Sequence, residues 1–162
     1  MHFMAVLKVL ILLGLANGSP VVVKRILGEK LNWPLDGGWK FFDGRPLFGA
    51  SKTLRGIAAA VLVTSFAAPL LGLGMEVGAI VAVLAMAGDL FSSFIKRRLG
   101  LPPSSRAVGL DQVPESLFPL LACSNLLSLT IVDVAVGTAV FFVGAVLLSR
   151  LFFRLHLRDR PY

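Results

Sequence analysis

The run VGAIVAVLAMAGDLFSSFI, residues 77–95, is nineteen residues long, carries a single charge, Asp89, and ends in Lys96-Arg97-Arg98. A helix that crosses a bilayer needs roughly 20 apolar residues, so this stretch reads as a membrane span whose basic end marks the membrane surface. Asp89 lies about two-thirds of the way along it. A carboxylate near the centre of such a helix costs roughly 2.5–3.5 kcal/mol, and groups that carry this cost face a polar cavity, a cation or a partner. Asp89 is therefore the first candidate for function.

Outward from that span the composition is consistent: 56% of the 162 residues are hydrophobic, 15% are charged, and the mean hydropathy is +0.83. A soluble domain this apolar would aggregate, and the chain is too short for several domains. The expected fold is one all-α integral membrane domain, residues 1–162, with five transmembrane helices near 3–23, 57–75, 77–95, 116–132 and 134–153. Asn17-Gly18-Ser19-Pro20 interrupts the first of these and predicts a kinked or discontinuous helix. The second and third spans form a hairpin about Glu76. The fourth and fifth form another about Asp133, the last continuing through Leu151-Phe152-Phe153 with Arg150 reaching outward. The lone Cys123 excludes a disulfide framework and a thiolate zinc site, and is expected to pack as a small apolar residue.

The polar loops 24–55 and 96–115 and the tail from Arg150 hold seven, four and four Lys/Arg, whereas the turns at Glu76 and Asp133 hold none. Basic residues near span ends collect on the cytoplasmic side. Five spans in the cell membrane then put the amino terminus outside and both loops and the tail in the cytoplasm, with all fifteen cations on one face. Four or six spans would scatter them. A cleaved secretory signal, with Lys8 as its charged region, 9–15 as its apolar core and Ala16-Asn17-Gly18 as its cleavage site, would move the most basic loop outside, and the charge bias argues against it. Most of the net charge of +7 is ordinary membrane flanking, leaving a remainder for phosphates. Nucleic acid is not an expected partner, because the aromatics lie mostly within the spans instead of alternating with the cations.

The polar chemistry is concentrated in three segments. In the first, Asp89, Ser93 and Lys96 stand at i, i+4 and i+7 with Arg97 one step on, so a helix gathers them on one stripe. A carboxylate, a hydroxyl and two cations then share one wall near the cytoplasmic surface. Snorkelling cations with a neutralised aspartate would explain Lys96 and Arg97 but not the depth of Asp89. In the second, Gly109-Leu110-Asp111-Gln112, Asp111 either caps the helix that follows or faces Asp89 across a hairpin opening. Two carboxylates so placed suit a hard divalent cation that also takes nucleotide oxygens.

The third segment is Asp43-Gly44-Arg45 through Gly49 to Lys52-Thr53-Leu54-Arg55-Gly56. Gly44 and Gly49 are separated by four residues, but Lys52-Thr53 arrives two residues late for a Walker A loop, which is rejected. What remains is a glycine-rich turn that delivers Lys52, Thr53 and Arg55 to a helix amino terminus, a place that favours anions. The plainer alternative is a flexible loop with membrane-flanking cations. Asp36 and Asp43 each precede glycine, as turn residues do.

Taken together, Asp43-Gly44-Arg45, Gly49, Lys52-Thr53, Arg55-Gly56, Gly88-Asp89-Leu90, Ser93-x-x-Lys96-Arg97 and Leu110-Asp111-Gln112 resemble the membrane cytidylyltransferases. The likeness is nearest to the CDP-archaeol synthase family and more distant to CDP-diacylglycerol synthases, in order, spacing and placement over most of the chain. The resemblance implies that a lipid phosphate attacks the α-phosphorus of CTP, giving a CDP-lipid and pyrophosphate. It further implies that Asp89 and Asp111 bind Mg2+, that Ser93, Lys96 and Arg97 act at the phosphate oxygens, and that Asp43, Gly44, Lys52, Thr53 and Arg55 help to hold the nucleotide. Lipid tails would enter from the bilayer and CTP from the cytoplasm, and the small bundle is compatible with a homodimer.

One departure stands out: where that family often has a second acidic residue three positions after the aspartate, this chain has Pro114, and the neighbouring Glu115 either substitutes for it or leaves the metal site with fewer ligands. The competing functional class is a small transporter or ion pathway centred on Asp89. It predicts polar residues on several spans, yet the last two spans offer only Ser, Thr, Cys and Asn. A non-catalytic lipid-binding protein leaves Lys52, Lys96 and Asp111 without a purpose.

Overall fold

The run that opens the sequence reading lies within α3, Met75–Arg98, the helix on which α1, α2 and α4 all pack. The computed structural model of the chain describes residues 2–105 and 107–154. The cations Arg106, Arg158 and Arg160, and the outward reach expected of Arg150, lie outside the described residues. Four further helices complete the bundle: α1 Phe3–Leu27, α2 Leu54–Ala67 followed by a 3₁₀ turn at Ala68–Leu71, α4 Gln112–Leu126 and α5 Ile131–Arg154. Among the described residues there is no strand, only the isolated bridges Pro34–Thr53 and Lys40–Pro46. The fold is all-helical.

Small residues on α3 let its neighbours come close, which is how helices associate when lipid removes the hydrophobic drive between them. A Cβ on Gly78 would lie 2.5 Å from Thr64 O, so α2 crosses there; a Cβ on Gly88 would lie 2.4 Å from Pro114 O, so α4 crosses there. α1 and α5 close the far side, and the buried centre is Val9, Leu12 and Leu13 of α1 with Ala60, Val81, Ala85, Leu120, Cys123 and Val134. Cys123 packs as the small apolar residue expected of it. At the end of the bundle away from the basic loops, Asp133 and Thr130 exchange backbone and side-chain hydrogen bonds as a capping box, and Asp133 Oδ1 accepts the His2 N–H at 3.0 Å.

Two expectations change. Of the two forms expected for the first span, kinked or discontinuous, the second is excluded: α1 runs as one helix through Pro20. Proline removes the donor that Ala16 O would have met, and the Ser19 hydroxyl contacts that carbonyl instead at 3.5 Å. The fourth span, expected at 116–132, is a helix of only fifteen residues ending at Leu126, with Pro119 inside it. At 1.5 Å per residue it is about 22 Å long, short of a hydrocarbon core of roughly 30 Å. Four helices are long and apolar enough to cross a membrane: α1, α2 with its 3₁₀ turn, α3 and α5. The remaining boundaries also move. α2 begins at Leu54 and its turn ends at Leu71, not 75, and α3 runs three residues past Ile95, through the cations assigned to the loop.

Candidate functional site

The last turns of α3 present Asp89, Ser93, Lys96 and Arg97 on one stripe, as their spacing predicted. Ser93 is 2% exposed and Arg97 3%. Two other segments meet this stripe. Lys52, from the end of the first loop, sets its Nζ 2.6 and 2.5 Å from the two oxygens of Asp89. Asp111, at the junction into α4, makes no cap; its Oδ1 lies 2.6 Å from Lys96 Nζ and its Oδ2 accepts the Ala107 N–H at 3.0 Å. Of the two roles open to Asp111, the observed one turns it toward the α3 stripe. Lys96 Nζ also donates to Ser105 O at 2.8 Å.

The α3–α4 crossing brings in Glu115, the residue that the sequence offered in place of the acidic side chain absent at Pro114. Because Gly88 has no side chain, the backbone of Pro114 and Glu115 rests directly on α3, one residue from Asp89. Glu115 thereby enters the electrostatic field of Asp89, Lys52, Asp111 and Lys96. The signal for this was the pairing of a glycine before Asp89 with an acidic residue four after Asp111. Ser92, also unassigned by sequence, ties the same corner: its hydroxyl donates to Gly88 O at 2.9 Å and Leu110 O at 2.6 Å.

Buried polar atoms remain to be satisfied here. Among the described residues, Ser93 Oγ and Arg97 Nε and Nη1 have no hydrogen-bond partner. Leaving such atoms unpaired is costly, roughly 1–3 kcal/mol for a neutral group and more for a charged one, so the stripe holds donors that an acceptor-rich ligand would satisfy. Phosphate oxygens are that kind of acceptor. No three His, Cys, Asp or Glu side chains among the described residues converge tightly enough to cage a metal by themselves. Asp89 and Asp111 are the donor type that suits magnesium, a hard cation usually held by one or two carboxylates plus substrate oxygens.

The rest of the first loop is braced, and the other residues expected at the nucleotide are engaged in that bracing. Asp36 accepts amide hydrogens from Gly38, Phe48 and Gly49 at 3.1, 3.0 and 2.9 Å. Burial works against its charge, but the amides of Gly49, Phe48 and Gly38 outweigh it and hold the carboxyl below the usual carboxylate range. Asp43 pairs with Arg98 at 2.8 Å and accepts the Arg45 N–H, while Gly44 takes the positive φ of 75° that its turn requires. Thr53 caps α2 through the Gly56 N–H at 3.3 Å, and Arg55 reaches back to Lys30 O and Asn32. Of the expected nucleotide group, Lys52 alone is brought onto Asp89.

Known proteins resemble the chain over most of its length. The CarS-like CDP-archaeol synthase family model matches residues 67–162. A CDP-archaeol synthase of Sulfurisphaera tokodaii is 37% identical over 153 residues, 91% of this chain and 89% of that one. The chain belongs to the CDP-archaeol synthase family. The Pyrococcus furiosus member is 44% identical over 107 residues, 60% of each chain. A solved structure described as an intramembrane enzyme for archaeal membrane lipids biosynthesis superposes with a TM-score of 0.74 at 30% identity, covering 87% of this chain and 90% of that one. Membership in the CDP-archaeol synthase family makes this a membrane-embedded, multi-helix enzyme and disfavours the transporter reading.

Proposed function

We propose that this chain transfers the cytidylyl group of CTP to a lipid phosphate with isoprenoid ether tails, releasing pyrophosphate and leaving a CDP-lipid in the membrane. The observation that carries the reading is the meeting of three segments at one membrane end: Lys52–Asp89, Lys96–Asp111, and the unpartnered buried donors of Ser93 and Arg97. An oxygen of the lipid phosphate attacks the α-phosphorus as the bond to the pyrophosphate oxygen breaks, so no protein nucleophile is needed. What the protein must supply is alignment and charge stabilisation.

Ser93 and Arg97 would bind phosphate oxygens, and Lys52 and Lys96 would join them on leaving their carboxylates. Asp89 and Asp111, with Glu115 beside them, would hold magnesium, which when bound neutralises charge on the reacting phosphates. Asp36, Asp43, Gly44, Thr53 and Arg55 would serve by shaping the loop and helix start that deliver Lys52. α4, extended by the turn after Leu126, would complete five crossings. The basic loops would then face the cytoplasm and the amino terminus the outside, the arrangement that the charge distribution supports.

The test is purified protein with Mg2+, CTP labelled at the α-phosphate and lipid phosphates bearing isoprenoid ether or acyl tails. Label is expected in the ether lipid with release of pyrophosphate. Asp89→Asn and Asp111→Asn should each abolish transfer while the helical circular dichroism is kept. Full activity in both variants would remove the metal assignment, and CTP binding without transfer to any lipid phosphate would remove the reaction.

A further inference from the structure

The first loop carries a small hairpin, residues 39–46, closed by the Lys40–Pro46 bridge and by Phe41 N–H donating to Arg45 O at 2.8 Å. Two arginines fasten it to the end of α3 in opposite directions. Arg45 Nη1 donates to the terminal carbonyls of Arg97 and Arg98 at 3.3 and 2.5 Å. Arg98 in turn donates to Asp43, Arg45 O and Pro46 O. The Arg98 guanidinium also lies over the rings of Phe41 and Phe94, 4.8 and 4.9 Å from their centroids, and those rings meet edge to face at 5.4 Å.

Phe91, Phe94 and Arg98 stand at i, i+3 and i+7 and share one face of α3. Phe91 is 47% exposed on a helix long and apolar enough to cross a membrane, so that face looks into lipid. Phe94 precedes Arg98 by about 6 Å along the axis at 1.5 Å per residue. The hairpin therefore folds back over the helix end onto its lipid side. Its remaining side chains are bare: Phe42 is 99% exposed and Trp39 75%, with exposed Lys40 between them.

We infer that this tip is a membrane-interface anchor, with Phe42 and Trp39 inserted at the boundary between headgroups and acyl or isoprenoid chains, and Lys40 directed at lipid phosphates. Bulky rings flanking a lysine are the chemistry that settles at that depth, and anionic headgroups complement the cation. Arg98, holding the hairpin to α3, fixes how deep the tip sits. The inference needs only that α3 crosses the membrane, and stands whatever reaction the site performs.

Trp33 and Trp39 are the two tryptophans of the chain, which makes the test direct. Trp33→Phe leaves Trp39 as the reporter, and Trp33→Phe/Trp39→Phe/Phe42→Trp puts the reporter at the tip. Each full-length protein is placed in anionic nanodiscs, both faces of which meet solvent, with or without lipids brominated high on the chain. Blue-shifted emission quenched more by brominated lipid than by aqueous iodide is expected for both reporters. Arg98→Ala, or Asp43→Ala where that variant fails to fold, should move the balance toward iodide. Stronger quenching by iodide in the unmodified hairpin overturns the inference. So does protection from both quenchers that changes with the number of copies per disc, since a second copy of the chain would then be what covers the tip.

Discussion

Gly88→Ala tests the site through its narrowest contact. The added methyl would stand 2.4 Å from Pro114 O, 2.5 Å from Pro114 C and 2.7 Å from Glu115 Cα, all backbone atoms that cannot rotate away. Ordinary contact begins at 3.4 Å, so α4 must retreat by about 3.4 − 2.4 = 1.0 Å. Overpacking of this kind costs about 1–3 kcal/mol, and the better helix propensity of alanine returns up to ~1 kcal/mol. A net loss on the order of 1–2 kcal/mol is expected, too small to unfold the bundle. The catalytic consequence is larger, because the same shift of about 1 Å in α4 would carry Glu115 and the adjoining Asp111 away from Asp89. A misplacement of roughly 1 Å costs on the order of 10²-fold in rate. Transfer of α-labelled CTP into the lipid phase should fall by about that factor while thermal unfolding in detergent shifts only modestly. Gly144→Ala, whose Cβ would meet nothing within 4 Å, is the control and should leave both unchanged. Gly88→Ala with normal activity would refute the claim that the α3–α4 contact sets the spacing of the carboxylates.

The remaining predictions concern individual charges. Lys52→Met leaves the Asp89 carboxylate, 25% exposed, without its cation, so stability should fall by on the order of 1–3 kcal/mol, while the KM for CTP should rise. Equal KM values in a steady-state assay would argue that Lys52 only neutralises Asp89. Glu115→Gln should weaken Mn2+ binding, read by electron paramagnetic resonance with CTP present, by about 10–100-fold if Glu115 supports the metal; unchanged affinity would remove it from the site. Asp36 has its carboxyl held down by three amides. Its contribution to loop order is then complete above the unfolded value of ~3.9 and lost as pH falls through the lower folded one. Proteolysis of the 36–49 loop should stay slow at neutral and mildly acidic pH. Asp36→Asn, which removes one of the two acceptor oxygens, should cut faster throughout; equal rates would show that other contacts hold the loop.

What could be read in advance follows from which forces are local. The apolar run around Asp89 and the stripe of Asp89, Ser93, Lys96 and Arg97 depend only on segment length and helical period, and both are as expected. Helix ends were misjudged where charge and helix part company: α3 continues to Arg98 while Lys96 and Arg97 turn inward to Asp111 and Ser105 and Arg98 is engaged by the hairpin, so none of the three marks a helix end. A hydropathy boundary marks where charges begin, not where backbone hydrogen bonding stops. The unbroken α1 depends on Ser19 next to Pro20, a neighbour too local to register as composition.

The pairing of charges was less legible still, because Lys52 and Asp89 are separated by 37 residues and no spacing rule joins them. Sequence reasoning gave both lysines to phosphate and both aspartates to metal, yet the protein on its own pairs lysine with aspartate twice. These are compatible descriptions of one balanced site. Asp89, Asp111 and Glu115 face Lys52, Lys96 and Arg97, three acidic groups against three basic ones, so a metal–nucleotide complex would be accepted by exchanging partners, cation for cation and anion for anion. The ion pairs seen here are then the resting arrangement of the groups that the proposed reaction needs. The Lys52–Asp89 pair is partly exposed, at 22% and 25%, whereas Lys96–Asp111 is largely buried, at 7% and 18%, so Lys96 can leave its carboxylate cheaply only as an incoming phosphate oxygen takes the ammonium in the same movement.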